Sequence, residues 1–219
     1  MRRDLITGLL AVVVLTVFLG VVYPLAVTGI AQVLFPGKAD GSLVKVDGQV
    51  VGSSLIGQEF KGSAYFHSRP SATEYSGNVT FFGNVGPNSA EARDETRANL
   101  NAYLRREAPY DPGLQVDGPI SRSNGDISAH RQAVPVDAVT QSGSGVDPHI
   151  SVANARIQAH RVAAVRELSL GQVEDLIAAH TDGRFLGLLG EPGVNVLELN
   201  LALDREAPIG AERDPGVSG

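Results

Sequence analysis

The chain opens on an apolar run that no later segment matches. No Asp, Glu, Lys or Arg occurs between Leu5 and Gly37, and the part from Leu9 to Val22 is almost wholly aliphatic. A helix rises ~1.5 Å per residue, so ~20 residues cross a hydrocarbon core of about 30 Å. A lone span in lipid must satisfy its own backbone hydrogen bonds, which only a helix can do. The pattern predicts one transmembrane helix. A cleaved signal peptide carries a shorter apolar region of about 7–15 residues, and no second run exists to bury this one in a core. Pro24 lies late in the run, where it removes a backbone donor and can kink the helix.

Beyond the run the pattern shortens and mixes. Phe35-Pro36-Gly37 stops the helix. Leu43–Val46 and Gln49–Val51 flank Asp47-Gly48, the signature of a tight hairpin. Leu55 to Phe60 reads as a short turn or helix, and Ala64 to His67 as a strand ended by Arg69-Pro70-Ser71. Ser71 to Asn88 is rich in Gly, Asn, Ser and Thr and reads as a long loop. Ser89 caps a helix over Ala90–Arg106, a very polar one with a narrow packing stripe of Ala92, Leu100, Tyr103 and Leu104. Ala108 to Arg131 is broken by Pro and Gly. Val134 to Thr140 reads as a strand, restricted to an edge or a strand start by Pro135.

The C-terminal third is more regular. A helix follows from Val152 to Leu168, capped by Ser151, with Ala155, Ala159, Val162 and Ala163 inward and Arg156, Arg161 and Arg166 off that side. Ser169 opens another helix, with Gln172 at capping-box spacing and Val173, Leu176, Ile177 and Ala179 on its apolar side. Phe185 to Gly190 is too short and Gly-interrupted to span a membrane, and Val194 to Leu201 reads as a strand. The fold class is α+β: one N-terminal transmembrane helix followed by a single mixed α/β extracytoplasmic domain. The anchor takes residues 1–36, the domain 37–204, and a disordered tail 205–219.

Charge adds orientation and exclusions. Arg2 and Arg3 precede the run, and the first charge after it is Lys38. Basic flanks stay in the cytoplasm, so the N-terminus is expected inside and the domain outside. The net charge of −6 argues against a nucleic-acid partner. With no cysteine there is no disulfide, thiolate metal site or Cys nucleophile. The five histidines, His67, His130, His149, His160 and His180, form no close ligand pair, so no metal site is expected. Lys38, Lys45 and Lys61 are the only lysines, and none sits in a phosphate-binding Gly-rich loop. The phosphorylated-Asp signature Asp-Lys-Thr-Gly-Thr is missing as well, so ATP hydrolysis by either of these routes is not expected of this chain alone. Ser144 lacks the glycine spacing of a nucleophile elbow and shows no base partner, which leaves a hydrolase poorly supported. Gln141-Ser142-Gly143-Ser144-Gly145 has two readings. It is a loop of exposed backbone donors that could hold an anion, or a plain Gly-rich strand-to-helix turn.

Several segments, in order, resemble one family: the C subunit of the bacterial potassium-transporting ATPase, KdpC. They are Tyr23 to Gly29, Gly52 to Gln58, Tyr65 to Ala72, Val134 to Asp137 with Ser142 to Ser151, His180 to Arg184, Gly190 to Pro192 and Val194 to Asp204. The likeness covers roughly residues 5–204. Where the family carries Ser-Gly-Gly-Ser-Asn after its Arg-Pro-Ser motif, this chain has Val79-Thr80-Phe81-Phe82 before Gly83-Asn84.

The resemblance implies a non-catalytic subunit of a potassium-uptake complex in a bacterial cell membrane. Its partners would be a channel-like subunit (KdpA), a P-type ATPase subunit (KdpB), a small membrane peptide (KdpF) and membrane lipid. It also implies a catalytic-chaperone role that raises ATP affinity, with Gln141, Ser142, Gly143, Ser144 and Gly145 as the nucleotide contact. ATP is cytoplasmic, however, while the flanking charges put the domain outside. A membrane-anchored extracytoplasmic binding or sensor module working alone is the other class of function the pattern allows.

Overall fold

A computed structural model describes residues 2–86, 88–114 and 134–208. The chain forms two compact units, one running through Ser53 and the other beginning at Ser54.

The first unit is built on the apolar run. Arg2–Leu34 is one continuous helix, long and apolar enough to cross a membrane, with none of its most apolar stretch buried. It consists of α1 (Arg2–Val17), one π-helical turn (Phe18–Val22) and α2 (Tyr23–Leu34). The π turn has a local cause. Pro24 has no N–H to return to Gly20, and its ring crowds that carbonyl. Widening the preceding turn, with Tyr23 N–H donating to Phe18 O, relieves the crowding without ending the helix. After Pro36, a short α3 (Pro36–Ala39) leads into β1 (Leu43–Val46) and β2 (Gln49–Ser53). These pair antiparallel as expected, with a bulge after Val44. Asp47 and Gly48 both take positive φ, 50° and 79°, which the tight turn requires.

Among its described residues the second unit packs four α-helices around a small sheet. The helices are α4 (Ala90–Glu107), α5 (Val152–Arg166), α6 (Leu170–Ala179) and α7 (Val196–Glu206). The sheet is antiparallel in the order β3 (His149–Ser151), β5 (Gly193–Asn195), β4 (Thr181–Asp182). The larger core cluster joins Phe66 and Ile150 to the inner faces of α5, α6 and α7. A second cluster joins Tyr103 and Leu104 of α4 to Leu114, Ala138, Val139 and Ile157. Ser89, Ser151 and Ser169 cap their helices as the sequence predicts, and Ser169 and Gln172 form the full capping box. The chain is thus a mixed α/β protein with one candidate membrane helix.

Two predicted strands are absent and a third is cut short, each for a physical reason. Val194 to Leu201 is strand only to Asn195; α7 then starts. Asn195 accepts a hydrogen bond from Glu198 N–H and so caps a helix. Val196, Leu197, Leu199, Asn200, Ala202 and Leu203 are its buried positions, a helical period. Val134 to Thr140 is a 3-10 turn over Val136–Ala138, led by Pro135 at φ −60° and ψ 145°. Ala64 to His67 is an irregular segment whose backbone is held by side chains.

Other boundaries shift. Leu55 to Phe60 is a turn without helix, Ala179 is exposed, and Arg205 and Glu206 extend α7 into the expected tail. The rest of that tail from residue 209, most of 108–131, and His130 lie outside the described residues.

Candidate functional site

The expected nucleotide loop does not sit directly ahead of a helix, because β3 intervenes before α5. Its backbone is folded onto the Arg69-Pro70-Ser71 segment. Ser142 is buried, and its N–H donates to Pro70 O at 3.2 Å. Gly145 N–H donates to Ser142 O at 3.3 Å. Ser71 Oγ donates to Gly145 O at 2.5 Å, and Thr73 Oγ1 to the same oxygen at 3.2 Å. Gly145 has φ +76°, and a Cβ there would lie 2.8 Å from Thr73 Oγ1, so only glycine fits. Gln141 donates its side-chain amide to Glu95 on α4. Ser144 Oγ accepts from Val146 N–H at 3.2 Å. Among the described residues no histidine or carboxylate reaches the hydroxyl of Ser142 or Ser144, so a nucleophile at either has no base.

Arg69 fastens this loop. Its guanidinium pairs with Asp147 at 3.2 Å and donates to Gln141 O at 3.1 Å and Thr140 Oγ1 at 3.4 Å. Gly57 closes the other side. Its N–H donates to Val146 O at 2.8 Å, and a Cβ on it would lie 2.5 Å from Asp147 O. Gly52 to Gln58, Tyr65 to Ala72 and Ser142 to Ser151 are far apart in sequence. Parts of all three meet at this one junction.

Beneath the junction runs a buried polar network that the sequence reading missed. Asn154, Gln158 and Arg161 share one face of α5 and are all buried. Tyr103 OH donates to Asn154 Oδ1 at 3.0 Å, and Asn154 Nδ2 donates to Asp137 at 3.1 Å. Gln158 accepts from His67 N–H at 2.8 Å and donates to His67 O at 3.0 Å. Arg161 donates to Glu107 at 2.9 Å, to Tyr65 O at 2.9 Å and to Ser63 O. Arg166 binds Ala64 O and Asp204, both at 2.8 Å. Placing Arg161 and Arg166 off the inward side was therefore wrong, since both side chains are buried and bonded. Spacings of four and three from Asn154 to Gln158 to Arg161 were the available signal. They mark a polar stripe at helical period.

Burial and neighbours shift several groups. Burial, then the positive charge of Arg106 and Arg161, holds the His67 imidazole down to about 3, so it stays neutral. Burial lowers Arg161 against the opposing pull of Glu107. Burial raises Tyr103, with Glu107 adding to it, and raises Tyr75 to about 12.

Opposite in character is the turn between β4 and β5. Phe185 and Leu189 form an isolated antiparallel bridge. Phe185, Leu186, Leu188 and Leu189 are 69, 79, 83 and 62% exposed. Four large apolar side chains on one tight turn form a knuckle with nothing over it among the described residues.

Comparison with known proteins gives one answer along the whole chain. The family model described as KdpC: K+-transporting ATPase, c chain, matches residues 5–205. A Koribacter versatilis protein named Potassium-transporting ATPase KdpC subunit is 44% identical over 215 residues, covering 97% of this chain and 100% of its own. Proteins with the same name from Mycobacterium tuberculosis and Myxococcus xanthus are each 46% identical. The first covers 94% of this chain and 100% of its own, and the second 100% and 96%.

Proposed function

The chain belongs to the KdpC family, the C chain of K+-transporting ATPases, and from that premise we propose that it is a non-catalytic accessory subunit. In this reading it assembles with and stabilises the channel-like and P-type ATPase subunits of a high-affinity potassium-uptake complex. The observation that carries the reading is the helix Arg2–Leu34, whose most apolar stretch is buried by none of the described residues. Arg2 and Arg3 beside it support an N-terminus in the cytoplasm and a domain outside. The helix packs against membrane subunits, and the Phe185–Leu189 knuckle docks on the outer face of the channel-like subunit. An exposed apolar patch of this kind is typical of a protein contact.

On this topology ATP remains with the ATPase subunit. Any gain in ATP affinity passes through assembly, not through direct contact by Gln141–Gly145. Gln141→Ala then leaves the ATP dependence of the complex unchanged; a weaker apparent ATP affinity contradicts this route. The assembly itself is tested by mild-detergent extraction with an affinity tag on this chain. Recovery of the two larger subunits supports it. Recovery of the chain alone favours the stand-alone module.

A further inference from the structure

The candidate membrane helix carries a backbone acceptor that its own chain does not satisfy. At the π turn Phe18–Val22, Tyr23 N–H donates to Phe18 O. An α-helical pattern would bring Tyr23 N–H to Leu19 O instead, and a π-helical one would bring the N–H of residue 24 to that oxygen. Residue 24 is Pro24, which has none. Leu19 O is therefore left without either helical donor. A Ser or Thr at position 22 or 23 would be placed to donate back to it. Those positions hold Val22 and Tyr23, and the Tyr23 hydroxyl bonds to none of the described residues.

Depth decides where a donor can come from. Leu19 lies fifteen residues from Asp4 and fifteen from Leu34, the end of the helix. At ~1.5 Å per residue that is about 22 Å from either point, deep in a hydrocarbon core of about 30 Å. Water and headgroups lie outside that layer and lipid tails offer no donor, so an open carbonyl there is costly. Broken or widened helices are tolerated at such depth where a neighbouring helix supplies the missing group. Gly20 leaves the backbone beside Leu19 bare, since a Cβ on it would meet nothing within 4 Å. A neighbour can then come close, as small residues permit between membrane helices. A second copy of the chain is a poor source of the donor. Two copies inserted the same way are parallel, and positions 17–21, level with Leu19, carry no hydrogen-bonding side chain.

We propose that Leu19 O accepts a hydrogen bond from a hydroxyl or amide side chain on a membrane helix of a partner subunit, which seats that helix on the π turn. The inference rests on the accessory reading above and adds the place and the chemistry of the contact. By withholding one N–H, Pro24 turns an apolar face into an acceptor that lipid cannot match. A face of Leu and Val alone packs on any apolar neighbour. A buried acceptor selects a neighbour with a donor at the matching depth.

The test places a single isotope-labelled carbonyl at Leu19 of the full chain and follows its amide I band by infrared spectroscopy. The chain is measured alone in detergent and again after recovery with the larger subunits. A band that moves to lower frequency on assembly supports the proposal. A band that stays in place in the recovered complex overturns it and leaves the accessory reading intact. A band already low in the free chain also overturns it, because water or a second copy then supplies the donor. A chain that recovers no other subunit fails the accessory reading, and this inference with it. Pro24→Leu returns the missing N–H and lets Tyr23 N–H go back to Leu19 O. Its band should be low with or without the partners. In competition with the wild-type chain it should enter the complex about three- to tenfold less well, the worth of one hydrogen bond between membrane helices. Equal entry by the two chains would show that no partner donor waits at that turn.

Discussion

Asn200 holds the backbone of Phe66 by both of its polar groups. The side-chain oxygen accepts from Phe66 N–H at 2.9 Å, and the side-chain nitrogen donates to Phe66 O at 2.9 Å. Gln158 does the same for His67. Two helix amides thus replace the neighbouring strand that this segment lacks. Asn200→Leu leaves two buried backbone groups unpaired, at about 1–3 kcal/mol each. Urea denaturation of the detergent-solubilised chain should show a loss of that order, and an unchanged midpoint would show that the clamp carries no stability.

Arg161 and Glu107 are both fully buried and 2.9 Å apart. Removing Glu107 leaves Arg161 as an uncompensated buried charge, typically about 3–5 kcal/mol, whereas removing Arg161 leaves Glu107 paired with Arg106 alone. Glu107→Leu should be severely destabilised and Arg161→Met less so, because Arg106 still pairs with Glu107. The double variant should recover part of the loss, although Ser63 and Tyr65 also lose a donor. Strict additivity in the double-mutant cycle would deny the coupling.

His67 makes stability depend on acid. Its folded value is about 3, below the ordinary 6.5, so the unfolded chain takes up the proton first. Its effect on stability is therefore nil above about pH 6.5 and grows more unfavourable as pH falls from there toward 3. The slope is at most about 1.4 kcal/mol per pH unit. His67→Gln should flatten the fall in unfolding free energy between those limits. Parallel curves for the two proteins would remove His67 as the cause.

The knuckle separates assembly from folding. Leu188 is 83% exposed, so Leu188→Asp should change stability by no more than about 0.5 kcal/mol. The same change should sharply reduce co-purification of the channel-like subunit. Full recovery of that subunit would move the docking surface elsewhere.

Much of this was legible in the sequence, and the losses follow a pattern. The apolar helix, the Asp47-Gly48 hairpin and the serine caps rest on local chemistry, and each is present. The lost strands rest on longer relationships. Phe66 looks like strand because its segment is apolar and its side chain is core, but the group that holds its backbone, Asn200, stands on a helix more than a hundred residues away. Val194 to Leu201 admits both alternation and helical period; the Asn195 and Glu198 spacing was the deciding cue and was passed over. At the site, the sequence points to Gln141 to Gly145 and to the Tyr65 to Ala72 segment separately; that Arg69 ties the loop to Asp147 is visible only in the fold. The burial of Arg161 is not visible in the sequence, because charge ordinarily marks an exposed face and Glu107, its counter-ion, lies on another helix.

As an accessory subunit of this topology, the chain should hold its folded domain outside the membrane. The absence of cysteine permits a direct test. Asp94→Cys places a single thiol on the exposed face of α4, and intact cells expressing the whole complex are treated with a membrane-impermeant maleimide before tagged subunits are recovered. The account predicts labelling of the intact cells on chain that co-purifies with the larger subunits. Labelling only after the membrane is broken would place the domain in the cytoplasm and contradict it.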